Sequence, residues 1–367
     1  MTEIGHVLVY RCGTLGDTLV AVPAIQALRA AFPTARFTLM TAHDPGGKLW
    51  ADEVVREFGW FDATLVYESA ELWSPLGLAR VLGRVRRARP DLVAYLASDR
   101  NSHLRLWRDR AFFTLAGARA FLAPTPSPKS LPWGRLRRPR GQLPFEVDRL
   151  LEACRRRGIG DGTVRFDLPD GPAHAGRVAS LVEAAGIDPA RALVALCPGS
   201  KQPSKRWPVE RWTAFAARLV AETDAAIAVV GGPEEAEIGT AMVRGLPAGR
   251  GVVLAARTSV LESAALLRRC ALYVGNDTGA MHLAAAVGTP CVAVFAAREP
   301  ARSWHPYGEG HVVLRRDEVS CAPCYRSVCT TEGLRCLLGI EVEQVWAACR
   351  AVLAPAGRIE GRQRCAG

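Results

Sequence analysis

The 367-residue chain lacks any run of about 20 uncharged apolar residues, the length that a helix needs to cross a bilayer. Its first apolar stretch, His6–Tyr10, meets Arg11 and a glycine turn too early to be the core of a secretory leader. A cytoplasmic protein is expected. No short internal repeat is visible, so solenoids and propellers are set aside. The loops singled out below contain no Asp-x-Asp pair, and no two histidines stand at a metal-ligand spacing. Nothing in them therefore calls for a divalent cation. No nucleic-acid-binding module or interleaved aromatic-basic pattern accompanies the arginines, which argues against nucleic acid as a partner.

Eleven cysteines are present, but the number is odd and they are scattered among strand-like and helix-like segments. That is unlike the disulfide framework of a small secreted domain and fits a reducing compartment. Hydrophobic residues at 49% and charged residues at 23% are ordinary globular values, so the chain folds without outside help. Its length exceeds a single ordinary core, and two domains with a cleft between them are expected.

The net charge of +11 is unevenly placed. Between Arg80 and Arg157 stand nineteen Lys or Arg against six Asp or Glu, which leaves the remainder close to neutral. Such a field serves an anionic acceptor or an anionic membrane surface, or is simply a solvated arginine-rich face.

Strand-like and helix-like segments alternate, the signature of parallel sheets covered on both faces. Strands are predicted at His6–Tyr10, Arg36–Met40 and Leu92–Leu96, with helices at Thr18–Ala31 and from Leu143 to Arg157. The register restarts with strands at Leu193–Cys197, Ala226–Val230, Ala271–Val274 and Cys291–Phe295, and with helices at Ala173–Ala185, Val209–Thr223 and Ala280–Val287. The hinge is placed near residue 170, giving domains 1–170 and 171–350 and a tail 351–367. A proline-rich basic stretch, Pro124–Pro144, holds Arg135, Arg137, Arg138 and Arg140 and reads as a surface loop.

Four motifs carry chemistry. In Arg11-Cys12-Gly13-Thr14-Leu15-Gly16-Asp17-Thr18, glycines between a strand and a helix start let the backbone approach a ligand. Asp17 is either a helix-start cap or a base that accepts a hydroxyl proton. The loop Pro198-Gly199-Ser200-Lys201-Gln202-Pro203-Ser204-Lys205-Arg206-Trp207-Pro208 gathers three cations and two hydroxyls. It suits a diphosphate leaving group or is a solvated basic loop. In Gly275-Asn276-Asp277-Thr278-Gly279-Ala280-Met281-His282, backbone N–H groups at a helix start can meet a phosphate or merely begin the helix, and His282 faces either the cleft or the core. Cys321, Cys324, Cys329 and Cys336 follow the spacing C-x2-C-x4-C-x6-C, which holds zinc or iron or consists of reduced structural thiols.

In order along the chain, these motifs resemble glycosyltransferase family 9, the heptosyltransferases. Arg11–Pro33 is similar to the family's opening signature. The Pro198–Pro208 loop, Gly231-Gly232-Pro233-Glu234-Glu235 and Gly275–Ala286 followed by Gly288-Thr289-Pro290 are similar to its second-domain signatures. The resemblance implies a GT-B α/β fold: two facing Rossmann-like domains with parallel sheets and an interdomain cleft, the last helix crossing back to the first domain. It implies an inverting, metal-independent transfer of a sugar, a heptose from ADP-heptose, to a lipopolysaccharide-core or other surface-glycan acceptor at the inner membrane face. Asp17 becomes the general base. Ser200, Lys205, Thr278 and Gly279 hold the diphosphate, Glu235 and Asp277 meet ribose or sugar hydroxyls, Gly13 and Thr14 line the donor from the opposite wall, and Arg206 and His282 also belong to the donor-binding set.

The chain departs from the family pattern at Ala94–Arg100, which lacks an acidic-glutamine pair, and at Ala296-Ala297-Arg298, where a Gly-Pro-Thr turn is usual. Other functions share these features: a protein heptosyltransferase of the autotransporter-modifying kind with a cysteine-bound metal, a nucleotide-sugar epimerase or hydrolase, and a non-catalytic nucleotide-binding subunit.

Overall fold

The computed structural model describes residues 4–43, 50–97, 102–125, 142–330 and 332–353. Arg135, Arg137, Arg138, Arg140, Asp99, Arg100 and the tail from residue 354 lie outside the described residues. The chain forms two compact units, residues 1–171 with 299–307 and residues 172–298 with 308–367.

The first unit runs β1 (His6–Tyr10), α1 (Leu15–Leu19), α2 (Val22–Ala31), β2 (Arg36–His43), α3 (Ala51–Arg56), β3 (Ala63–Glu68), α4 (Pro75–Ala88), β4 (Leu92–Tyr95), α5 (His103–Leu115), β5 (Ala120–Leu122) and α6 (Glu146–Arg155). Its strands are all parallel in the order β3-β2-β1-β4-β5. Strand β1 is central because Val7, Leu8 and Val9 are apolar on both faces, as a buried parallel strand requires. The strand order reverses between β1 and β4, so the crevice of this sheet opens at the carboxyl end of β1.

Helices α4 and α5 start where Ser74 and Ser102 accept the Gly77 and Arg105 N–H groups at 3.0 and 3.2 Å. They bury Val81, Val85 and Phe113 on one face of the sheet, against Leu8, Met40, Val93 and Tyr95. The single helix predicted at Thr18–Ala31 is in fact two. Pro23 removes a backbone donor, and its ring crowds the carbonyl of Leu19, so α1 stops at Leu19 and α2 restarts at Val22.

The second unit runs α7 (Pro172–Glu183), β6 (Leu193–Cys197), α8 (Val209–Glu222), β7 (Ala226–Val229), α9 (Pro233–Arg244), β8 (Gly251–Val253), α10 (Val260–Arg269), β9 (Leu272–Asn276), α11 (Gly279–Ala286), β10 (Cys291–Phe295), β11 (Val312–Arg315), α12 (Arg335–Leu338) and α13 (Val342–Leu353). Its parallel order is β11-β10-β9-β6-β7-β8, and the order reverses between β6 and β9. The core on one side of this sheet is aromatic: Trp207, Trp212, Phe215 and Trp346 are fully enclosed with Val194, Leu196 and Val274.

One expectation about the domain connection is corrected. Helix α13, expected to cross back to the first domain, packs on α8, β9 and β10 of its own unit, because Val345, Trp346 and Cys349 face that core. The segment that returns to the first unit is Glu299–Tyr307 instead. There Phe145 meets Tyr307 edge-on at 5.0 Å, and the Tyr307 hydroxyl donates to Asp148 at 2.8 Å. Among the described residues no helix is long and apolar enough to cross a membrane.

Trp212 has no exposed surface and packs between Trp207 and Phe215. Replacing it with alanine should remove about 3–5 kcal/mol of stability from the second unit. Urea unfolding followed by circular dichroism measures this, and an unchanged midpoint would show that Trp212 is not a core anchor.

Candidate functional site

Three loops leave the carboxyl edge of the second sheet side by side, after β7, β6 and β9. Asn276, the last residue of β9, has no exposed surface, and its amide nitrogen donates to the carbonyls of Pro198 at 2.8 Å and Gly199 at 3.1 Å. Its Oδ1 accepts the Trp207 N–H at 3.3 Å. One side chain thus ties the start and the end of the Pro198–Pro208 loop to the turn that opens α11. Trp207 anchors that loop from below, its indole donating to the Ile340 carbonyl at 2.9 Å.

Within this frame Lys205 Nζ lies 2.5 Å from Asp277 Oδ2, so the loop cation and the turn carboxylate form an ion pair. Thr278 begins α11, its hydroxyl 3.2 Å from the Tyr273 hydroxyl and 3.6 Å from Cys197 Sγ. Burial pushes the Cys197 thiol up to about 12, so it stays protonated and serves as a neutral hydrogen-bonding neighbour. No side chain caps the first turn of α11. Its backbone N–H groups and helix dipole form an electropositive end beside Lys205.

Glu235 closes the third side. Its carboxylate accepts the Gly232 N–H at 2.7 Å and caps α9. Burial raises its pKa, and the hydrogen bond from Gly232 works against that rise. A Cβ at Gly199 would collide with the Glu235 carboxylate, so the approach of these two loops requires glycine there.

Arg206 lies beside the Glu235 corner of this group and braces it. Its Nε donates to the Ser200 carbonyl at 2.6 Å, and Nη2 pairs with Glu234 at 2.8 Å, so the guanidinium braces the loop. Ser200 is buried and its hydroxyl accepts the Gln202 N–H at 3.4 Å. His282 is buried one turn into α11, and its backbone N–H closes the helix on Thr278 at 3.4 Å.

In the first unit the loop after β1 winds around Asp17. The Thr14 N–H donates to Asp17 Oδ2 at 3.0 Å, and the Thr14 hydroxyl lies 3.4 Å from the same oxygen. Gly13 has φ +128°, and a Cβ there would stand 2.5 Å from Asp17 Cγ. Any other residue at 13 would displace the carboxylate. Beneath it lies Arg11, fully buried, donating to the Leu96 carbonyl at 2.6 Å and to the Asp17 carbonyl, with Nη2 3.7 Å from Asp17 Oδ1. Burial lowers the Arg11 pKa, and Asp17 and Glu146 draw it back.

Glu146 and Arg149 add a buried ion pair at 2.6 Å, with Arg149 also donating to the Ala97 carbonyl at 2.9 Å. These two guanidiniums bind the carbonyls that end β4. Asp17 itself remains partly open to solvent.

The four cysteines had two readings, a metal centre or reduced structural thiols. Among the described residues no three His, Cys, Asp or Glu side chains converge closely enough to hold a metal ion. Cys321, Cys324, Cys329 and Cys336 border a cavity of about 30 Å³, and none of them is in a disulfide. The segment is drawn onto the Pro198–Pro208 loop by its backbone: the Ser204 N–H donates to the Ser327 carbonyl at 3.1 Å and its hydroxyl to the Arg326 carbonyl at 2.7 Å. Buried Arg298 joins in through Gln202 and the Tyr325 carbonyl. It occupies the place where the family's usual Gly-Pro-Thr turn is absent.

Sequence reasoning missed Asn276, Tyr273, Arg298, Glu146 and Arg149. Asn276 stood inside a recognised motif, but nothing in the pattern distinguishes an asparagine that stitches loops from one that merely turns the chain. Arg298 meets partners far along the chain, whereas Glu146 with Arg149 and Tyr273 with Thr278 pair locally, at spacings that ordinary helix and turn residues share.

The comparisons agree with this geometry. The model of glycosyltransferase family 9 (heptosyltransferase) matches residues 173–335, which contain all three loops of the second sheet's carboxyl edge. A lipooligosaccharide heptosyltransferase 2 from Haemophilus influenzae is 32% identical over 114 residues, covering 30% of this chain and 33% of the relative. A lipopolysaccharide heptosyltransferase 1 from Pseudomonas aeruginosa is 29% identical over 163 residues, 44% of each. The chain therefore spans about a third to under half of the length of the curated relatives it matches. A family 9 glycosyltransferase structure from Veillonella parvula superposes with a TM-score of 0.69 at 20% identity, covering 96% of this chain and 98% of the other. The Escherichia coli ADP-heptose lipopolysaccharide heptosyltransferase II structure gives 0.64 at 18%, with coverage of 95% and 98%. Two parallel-sheet α/β units with this likeness are the GT-B fold, and residues 173–335 of the chain match the glycosyltransferase family 9 (heptosyltransferase) model.

Proposed function

We propose that the protein is an inverting glycosyltransferase that moves a heptose from ADP-heptose to an acceptor of the lipopolysaccharide core or another surface glycan. The observation that carries this reading is the loop triad of the second unit, where Lys205, Thr278 and the uncapped start of α11 share one sheet edge under Asn276. A nucleoside diphosphate gains negative charge as the glycosidic bond breaks, and fixed cations and N–H dipoles stabilise that charge more in the transition state than in the ground state.

In this mechanism the Thr278 and Gly279 N–H groups and Lys205 bind the diphosphate, with Asp277 holding Lys205 in place until the donor arrives. Glu235 accepts hydroxyls of the ribose or sugar. Asp17 is the base: Thr14 holds one of its oxygens, and the carboxylate takes the acceptor hydroxyl proton as that oxygen attacks the anomeric carbon. Gly13 keeps the approach to that carboxylate clear. No step is routed through a metal, and the cysteine segment acts as a brace for the Ser204 loop. The setting is cytoplasmic, with a lipid-borne acceptor bringing the enzyme to a membrane surface.

Asp17→Ala is expected to lower turnover by about 10²–10⁴-fold while leaving donor affinity nearly intact. Steady-state kinetics with a heptose-deficient core acceptor measure this, and near-wild-type turnover would remove Asp17 from the mechanism. Nucleoside diphosphates and their sugars should raise the melting temperature in a thermal-shift panel, since a ligand of the native state stabilises it. Lys205→Ala should shrink that shift. If no nucleotide moved the transition, the donor assignment would fail, and turnover of donor without acceptor would point to a hydrolase or epimerase.

A further inference from the structure

Helix α5 carries large apolar residues on the wrong side. Phe113 is its only buried residue, yet Leu104, Trp107 and Leu115, spaced along its outer face, are 53%, 70% and 68% exposed. Just before α4, Trp73 is 88% exposed, and Leu76 in its first turn is 63% exposed. The inward residues of the two helices, Val81, Val85 and Phe113, belong to one core cluster, so both helices cover the same face of the sheet and turn their outer faces the same way. Isolated exposed leucines need no explanation, but two tryptophans and three leucines on adjacent helices form a patch that something covers.

The surroundings of the patch select what that is. Arg80 and Arg87 follow Leu76 at one and three turns along the outer stripe of α4, and both are exposed. The carboxylates of this face are already bound, Glu71 by Arg84 and Asp109 by Arg108. Beside Trp107 opens a groove of about 390 Å³ lined by His103, Leu106, Arg110, Arg156 and Arg157. Arg156 and Arg157 each donate from Nη2 at 3.2 Å, to the carbonyls of Ala123 and Phe121. Those carbonyls lie along β5, the edge strand, so the edge is closed to an added strand of another protein. An anionic bilayer meets every feature: tryptophan and leucine enter the boundary between headgroups and acyl chains, and arginines meet phosphates.

We propose that the outer face of α4 and α5 is a docking surface for anionic lipid membrane, with Trp73, Leu76, Leu104, Trp107 and Leu115 inserted and the Arg110–Arg156–Arg157 groove receiving lipid phosphates. It requires neither donor nor turnover, so its failure leaves the transfer reaction untouched. The test is co-sedimentation of the full chain, without nucleotide, with vesicles of equal parts phosphatidylglycerol and phosphatidylcholine. Binding is expected at low ionic strength, weaker to pure phosphatidylcholine, and falling with salt. The Trp73→Ser/Trp107→Ser double variant should bind at least about tenfold less, because it loses both interfacial anchors. Its melting temperature should be unchanged, since neither side chain is in the core. Three results would overturn the proposal: no binding at low ionic strength, undiminished binding by the double variant, or a wild-type dimer that the variant turns into a monomer. Complete displacement of vesicles by free glycerol phosphate would also overturn it, by reducing the surface to a soluble-phosphate pocket.

Discussion

The amide of Asn276 is the point on which the carboxyl edge of the second sheet depends. Buried carbonyls demand a donor, and those of Pro198 and Gly199, at the end of β6, have theirs in a side chain from β9. Without that link the loop after β6 and the turn after β9 would be independent. With it, Lys205 is brought to Asp277, and the start of α11 faces the same loop cation. The arrangement sits where the strand order reverses, the position at which open parallel sheets offer a crevice free of crossover connections.

The first unit repeats the plan with charge in place of an amide. Its strand order also reverses beside the first strand, and buried Arg11 performs the tying, from the loop after β1 to the Leu96 carbonyl after β4. A buried guanidinium is costly unless it is paired, and here Asp17, Glu146 and several carbonyls surround the two arginines. Asp17 thus has two roles in one place: it caps the helix through Thr14, and its remaining oxygen faces away from that cap. The alternatives weighed for this residue from sequence, cap and base, are compatible.

Much of the fold was legible because parallel strands are apolar throughout. His6–Tyr10, Leu193–Cys197 and Cys291–Phe295 were read with the bounds they have. The glycine-bearing turns after them were legible for the same reason, since close loop approach at Gly13 and Gly199 admits no side chain. What escaped was everything decided at long range. The return of Glu299–Tyr307 to the first unit, the packing of α13 on its own sheet and the buried role of Arg298 depend on partners far along the chain. The cysteine spacing left a metal site and structural thiols open, and the backbone of that run hydrogen-bonds to Ser204.

The most direct test of the central claim is a crystal structure of the chain with ADP. The diphosphate is predicted to lie at the start of α11, accepting from the Thr278 and Gly279 N–H groups at about 2.7–3.2 Å, with Lys205 Nζ turned from Asp277 toward it. A diphosphate bound elsewhere, with the Lys205–Asp277 pair intact and the helix start bare, would contradict the account.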